Sequence, residues 1–185
     1  MIFFAHIGPS AWLARRLGSW LAPETVFDLK ALTAVSLCAI LPDIVDKPFF
    51  YLGLYPAHTG RLWGHTLLFS LAWCLACRFR LKALWPWALA TPGHLILDGM
   101  WDRPHTLAWP VLGNYFDEPP MYFPSHKDYW VWLYHNDPLV LAGLVLGDLT
   151  GLVLFAAAAW PLAAPALGRW LPAAARGRPR TSPPR

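Results

Sequence analysis

The run PLVLAGLVLGDLTGLVLFAAAAWPLAAPALG, residues 138–168, decides the class of fold. Its one ionisable side chain is Asp148, and roughly 20 apolar residues in a helix suffice to cross the hydrocarbon core of a bilayer. The rest of the chain agrees with a membrane setting. Of its 185 residues 56% are hydrophobic and only 14% charged, with 12 tryptophans. A soluble domain carries about 25% charged residues, so this chain has too few to cover a water-facing surface. The net charge of +4 is concentrated in Arg169, Arg176, Arg178, Arg180 and Arg185. These lie in a proline- and alanine-rich tail, 169–185, with too little apolar periodicity to fold, which predicts disorder. Without that tail the chain is close to neutral, and a nucleic-acid partner is not expected.

Three shorter apolar runs precede the long one. Each approaches the ~17–25 residues of a crossing helix once its polar end is included: Ala31–Asp46, Arg61–Cys77 and Ala83–Asp102. With the opening segment and residues 138–168 they predict an all-α, polytopic membrane protein of about four to five helices. Residues 1–168 read as one membrane-embedded domain. Within it, the proline- and aromatic-rich segment 103–137 reads as an ordered loop or cap at headgroup level. The opening segment has no basic residues ahead of its apolar stretch, so it is expected to remain in the mature protein. Cys38, Cys74 and Cys77 lie inside apolar runs and read as small buried hydrophobes with no disulfide framework.

Positive charge suggests an orientation. Lys30, Arg78, Arg80, Lys82, Arg15, Arg16 and the arginine tail fall at one set of helix ends, expected to be cytoplasmic, and outnumber the exceptions Lys47, Arg61, Arg103 and Lys127. The opposite, outer ends then carry His6, Asp43, Asp46, His65, Asp98 and Asp102.

Several of these residues have the spacing of metal ligands. In His94-Leu95-Ile96-Leu97-Asp98 an imidazole and a carboxylate occupy adjacent turns of one helix face, where both can grip one cation. A histidine hydrogen-bonded to an aspartate in a polar seam explains the pair equally well. Asp102 continues the stripe. In Leu41-Pro42-Asp43-Ile44-Val45-Asp46-Lys47-Pro48 two carboxylates end an apolar helix between prolines. They are either a solvated terminus paired with Lys47 or, since acids at a helix C-terminus oppose the macrodipole, partners of a bound cation. In Arg61-Leu62-Trp63-Gly64-His65-Thr66 the histidine opens the next helix; Arg61 either snorkels to headgroups or holds an anionic substrate group. His6 is isolated, Asp148 is a structural contact or a proton carrier, His105 follows the His94–Asp102 stripe just after a proline, and His58, His126, Asp128, His135 and Asp137 read first as loop residues.

Taken in order, His6, Leu41-Pro42-Asp43, Arg61 to His65, His94 to Asp98 and Trp109-Pro110 resemble the bacterial membrane-bound metal-dependent hydrolases. One branch of these small inner-membrane proteins is described as LexA-binding hydrolases. The match covers about residues 1–115. Residue by residue, it implies that His6, Asp43, His65, His94 and Asp98 are metal ligands and that Arg61 belongs to the site. Val45 and Lys47 depart from the family pattern, in which an aspartate and a histidine directly follow Leu-Pro-Asp-Ile, and Gly60 stands where a histidine usually precedes the arginine. The histidine-plus-aspartate set is also distantly similar to zinc-dependent phospholipase C, which implies phosphoester chemistry.

The expected function is therefore a metal-dependent hydrolase of the bacterial inner membrane, with its site near the outer face and its tail cytoplasmic. Its ion is expected to be zinc, with manganese or magnesium as alternatives. Asp46, Asp102 and Arg61 are the expected catalytic side chains, Asp46 or Asp102 as general base or as the partner that orients a ligand, and a lipid-like phosphoester or ester is the expected substrate. The rival is a non-enzymatic membrane protein, either a metal-stabilised scaffold or an ion-handling protein.

Overall fold

The computed structural model describes residues 3–21, 26–54, 59–118 and 126–170. They form helices and turns, with no strand among them. In chain order the helices are α1 (Phe3–Leu21), α2 (Leu29–Tyr51), α3 (Leu67–Phe79), α4 (Trp85–Ala88), α5 (Ala90–Leu97), α6 (Pro104–Leu107), α7 (His126–Asn136) and α8 (Pro138–Trp170). Two 3-10 turns, Trp63–His65 and Met100–Asp102, interrupt the series. His58 and residues 171–185 of the tail lie outside the described residues.

Polar caps set several starts. Asp28 accepts from Ala31 N at 2.8 Å to open α2, Thr66 accepts from Phe69 N at 3.0 Å to open α3, and Asp137 accepts from Val140 N at 3.1 Å to open α8.

Three expected segments differ from the helices observed. α2 does not end at Asp46 but continues through Pro42 and Pro48 to Tyr51. An internal proline usually breaks a helix because it cannot donate to the carbonyl four residues back. At Pro42 that carbonyl belongs to Cys38, and Thr91 Oγ1 donates to it instead at 2.9 Å. The macrodipole argument for Asp43 and Asp46 as helix-terminal acids therefore does not hold. The run 83–102 is not one helix: it breaks at Leu89 and at Gly99, whose φ of +64° is the left-handed conformation that glycine tolerates. The run 61–77 begins with a 3-10 turn, leaving α3 only 13 residues long. The expected loop 103–137 contains α6 and α7.

Among the described residues, one helix is long and apolar enough to cross a membrane: Pro138–Pro165 of α8, few of whose residues are fully buried. α1 lies along it in parallel. Gly8 and Gly151 meet at the crossing, where a Cβ on either would collide with the other helix's backbone. Arg15 Nη1 donates to the carbonyls of Ala157 and Ala158, at 3.2 and 2.9 Å. Pro161 explains this contact, because it leaves the Ala157 carbonyl without its helical donor. The core joins α1, α2, α4 and α8 through Ala11, Leu32, Val35, Cys38, Trp87 and Ala158. The outside is strongly apolar: Leu67, Leu71 and Phe79 of α3 and Leu146 and Val153 of α8 are all exposed.

Candidate metal centre

Four elements bring polar side chains together at one end of the helices. α1 supplies His6, α2 supplies Asp43 and Asp46, the turn before α3 supplies His65, and α5 with its C-cap supplies His94 and Asp98. His6, Asp43, Asp46, His65 and His94 are buried.

The hydrogen bonds of the two deepest histidines fix their tautomers. His94 Nδ1 lies 2.7 Å from the Ala39 carbonyl, which can only accept, so the proton is on Nδ1. Ala39 is adjacent to the backbone that Pro42 opens, and α5 uses both carbonyls: Thr91 takes Cys38 and His94 takes Ala39. His65 Nδ1 lies 2.7 Å from Asp46 Oδ2 and donates to that carboxylate. With both rings neutral, each Nε2 is then a bare lone pair, and the two face one another at 3.2 Å. Two acceptors at that distance do not bond; they repel unless a cation or proton lies between them.

The carboxylates complete the set. His65 Nε2 is 3.5 Å from Asp98 Oδ2 and 3.7 Å from Asp43 Oδ1, and His94 Nε2 is 3.7 Å from Asp43 Oδ2. Ligands bound tetrahedrally at 2.0–2.1 Å stand about 3.3 Å apart, so these separations are close to those of a zinc shell. Two overlapping groups, His6–His94–Asp98 and Asp43–His65–His94, have all their ligand atoms within 4.8 Å. His94 belongs to both. Asp43 Oδ2 is buried with no hydrogen-bond partner, which is costly for a carboxylate oxygen unless a cation meets it. The donor set therefore fits a divalent ion of the zinc type.

Asp46 has a different geometry. Its side chain is fully buried, and its two oxygens accept from Leu62 N at 2.6 Å, Gly64 N at 2.8 Å, His65 N at 3.2 Å and His65 Nδ1. Four donors fold the 62–65 backbone around one carboxylate and aim His65. Gly64 makes this possible, since a Cβ there would press on the Pro42 carbonyl and on Asp46 Oδ1. Arg61 Nε donates to Asp98 Oδ2 at 2.8 Å, and its side chain is 38% exposed, so its guanidinium borders both the centre and the outside. Asp98 Oδ1 faces His6 Nε2 at 3.1 Å. Lys47 Nζ is 3.5 Å from Asp43 Oδ1.

Among the other sequence candidates, Asp102 is exposed on its 3-10 turn. His105 has both ring nitrogens bonded within the cap, to the Leu112 carbonyl and to Tyr115. Trp109 stacks on Phe116, which packs edge-on against Trp63, so the cap leans on the turn that carries His65. Sequence reasoning missed the roles of Pro42, Thr91 and Gly64. The signal for Pro42 was its place four residues after Cys38.

The fold and the cluster together define an all-helical protein with a buried histidine–aspartate centre and one helix fit to span a bilayer. The chain belongs to the YdjM inner membrane protein family, whose model matches residues 1–175. No curated protein and no solved structure matches it.

Proposed function

We propose that the chain is a membrane-embedded metal-dependent hydrolase. The observation that carries this is the pair of Nε2 atoms of His65 and His94, whose Nδ1 protons are bonded elsewhere, facing each other at 3.2 Å beside the unpartnered Asp43 Oδ2. His6, Asp43, His65, His94 and Asp98 hold the ion, zinc by donor type, with manganese or magnesium as alternatives. A divalent ion there supplies Lewis acidity, acidifying water and polarising a phosphoryl or acyl oxygen.

The chain's own residues do the rest. Asp46 keeps His65 in its ligating tautomer and orientation, the role that carboxylates commonly play behind metal-bound histidine. Its saturated oxygens favour this role over that of general base. Asp102, exposed beyond Asp98, is the remaining carboxylate to accept a proton. Arg61 neutralises Asp98 and presents the rest of its guanidinium to a negatively charged substrate group. A lipid-like substrate is favoured by a groove of about 350 Å³ between α1, α2 and α8, lined by Phe3, Ile7, Leu32, Leu37 and Ile40. The hydroxyls of Thr33 and Ser36 there bond to their own helix carbonyls, so the groove presents hydrocarbon.

The proposed topology is polytopic, with the centre near the outer face and the tail cytoplasmic. α3 starts at the centre and ends at Arg78, Arg80 and Lys82, about 20 Å away at 1.5 Å per residue, so basic charge and centre sit at opposite ends. The parallel packing of α1 on α8 agrees with both running inward.

A second reading, a metal-stabilised scaffold without catalysis, is favoured by the complete burial of His65 and His94. Spectroscopy of the cobalt-loaded protein separates the two. Spectral perturbation by added phosphate or a short-chain phosphoester supports an open coordination position and hydrolysis. A spectrum indifferent to both supports the scaffold.

A further inference from the structure

We propose that Asp148, on the long apolar helix, is the positioning residue that holds His6 in the centre. The inference rests on the metal-site reading above. Asp148 Oδ1 accepts from the backbone N–H groups of Phe4 at 2.6 Å and Ala5 at 3.1 Å. Both belong to the first turn of α1, whose N–H groups have no acceptor within their own helix. The carboxylate also faces the positive end of that helix's dipole. A carboxylate inside an apolar helix is costly, so this donor pair is its compensation.

His6 is the next residue after Ala5. It is the one ligand that α1 brings, and it reaches Asp98 Oδ1 at 3.1 Å. The position of His6 along and around the α1 axis is therefore set by what fixes α1. α8 fixes it at three levels: Asp148 on Phe4 and Ala5, the Gly8–Gly151 crossing, and Arg15 on the Ala157 and Ala158 carbonyls. Of these, Asp148 is adjacent to the ligand. A slip of one residue would move α1 by about 1.5 Å and turn it by about 100°, carrying His6 away from Asp98. The two bonds of Asp148 go to Phe4 and Ala5, so its influence on the centre passes along α1 to His6.

The test is a double-mutant cycle on the full-length chain in detergent. Zinc affinity is measured against a chromogenic chelator for wild type, Asp148→Ala, Asp148→Asn, His6→Ala and the Asp148→Ala/His6→Ala pair. Asp148→Ala should weaken zinc binding by about tenfold to a hundredfold, the range for residues that orient a ligand. Asp148→Asn keeps an accepting oxygen and should restore most of the affinity. In the His6→Ala background the Asp148→Ala change should add nothing. Equal losses in both backgrounds, or no loss in Asp148→Ala, would overturn the proposal. If Asp148→Ala does not accumulate, Asp148→Glu takes its place, since the extra methylene shifts the same contact.

A second readout needs no metal. A His6→Cys/Asp98→Cys pair, joined by a short bifunctional thiol reagent, should cross-link well with Asp148 or Asn at 148 and poorly with Ala. An unchanged yield would overturn the proposal. A wild-type protein that binds no zinc refutes the metal reading, while the cross-linking result still decides the role of Asp148.

Discussion

Asp46 gives the sharpest test of how the centre is built. Its carboxylate receives three backbone N–H groups and the His65 Nδ1–H, all in a fully buried position. Asp46→Ala leaves these donors without an acceptor. At about 1–3 kcal/mol for each buried donor, the three backbone groups alone amount to roughly 3–9 kcal/mol. That is comparable with the whole stability of a typical domain, about 5–15 kcal/mol, so Asp46→Ala should not yield folded protein. Asp46→Asn is the informative variant. If its oxygen takes the Oδ2 position, it keeps the contacts to Leu62 N, His65 N and His65 Nδ1, and its amide then opposes Gly64 N–H. One charge-assisted bond is lost, at a cost of about 1.5–3 kcal/mol, and the protein should fold with a lowered unfolding temperature. His65 loses its anionic partner, so zinc affinity should fall by about tenfold to a hundredfold. Thermal unfolding and chelator competition on the same preparation measure both effects. An Asp46→Asn protein whose affinity stays within about twofold of wild type would refute the orienting role.

Other outcomes follow from the same contacts. Gly64→Ala should lower stability by about 1–3 kcal/mol through overpacking against the Pro42 carbonyl, seen as a lower thermal midpoint in detergent. Thr91→Val removes the donor that meets the Cys38 carbonyl opposite Pro42 and should cost about 1–3 kcal/mol in the same assay. His94→Ala should abolish stoichiometric metal binding while His105→Ala, confined to the cap, leaves it intact; equal losses would contradict the ligand assignment. A reporter fused after Arg185 should be active only as a cytoplasmic fusion, and an external signal would invert the proposed topology.

Much of this was legible in the sequence because its signals are compositional or local. The apolar run at 138–168 needed only the absence of charge, and His94 and Asp98 only the four-residue helical spacing. The convergence of His6 with them was implied by the resemblance and by the sharing of one set of helix ends. The rest depends on partners distant in sequence. The helix reads as ending at Asp46, and its passage through Pro42 becomes explicable only when Thr91, 49 residues later, is seen to satisfy the carbonyl that Pro42 frees. Asp46 reads as a solvated acid, a partner of a bound cation or a catalytic side chain until the 62–65 backbone is seen to wrap it. The 83–102 run reads as one span because a left-handed glycine at 99 has no signature in hydropathy. Asp148 reads as a structural contact or a proton carrier until α1 presents its first-turn N–H groups to it.

The central claim is that the facing histidines and their carboxylates hold a divalent ion. Elemental analysis of the detergent-purified chain, wild type beside the His65→Ala/Asp98→Ala double variant, tests it most directly. Near-stoichiometric zinc or manganese in the wild type, lost in the variant, is the predicted result. A wild-type chain that carries no divalent metal even after reloading, or a variant that retains it, would contradict the account.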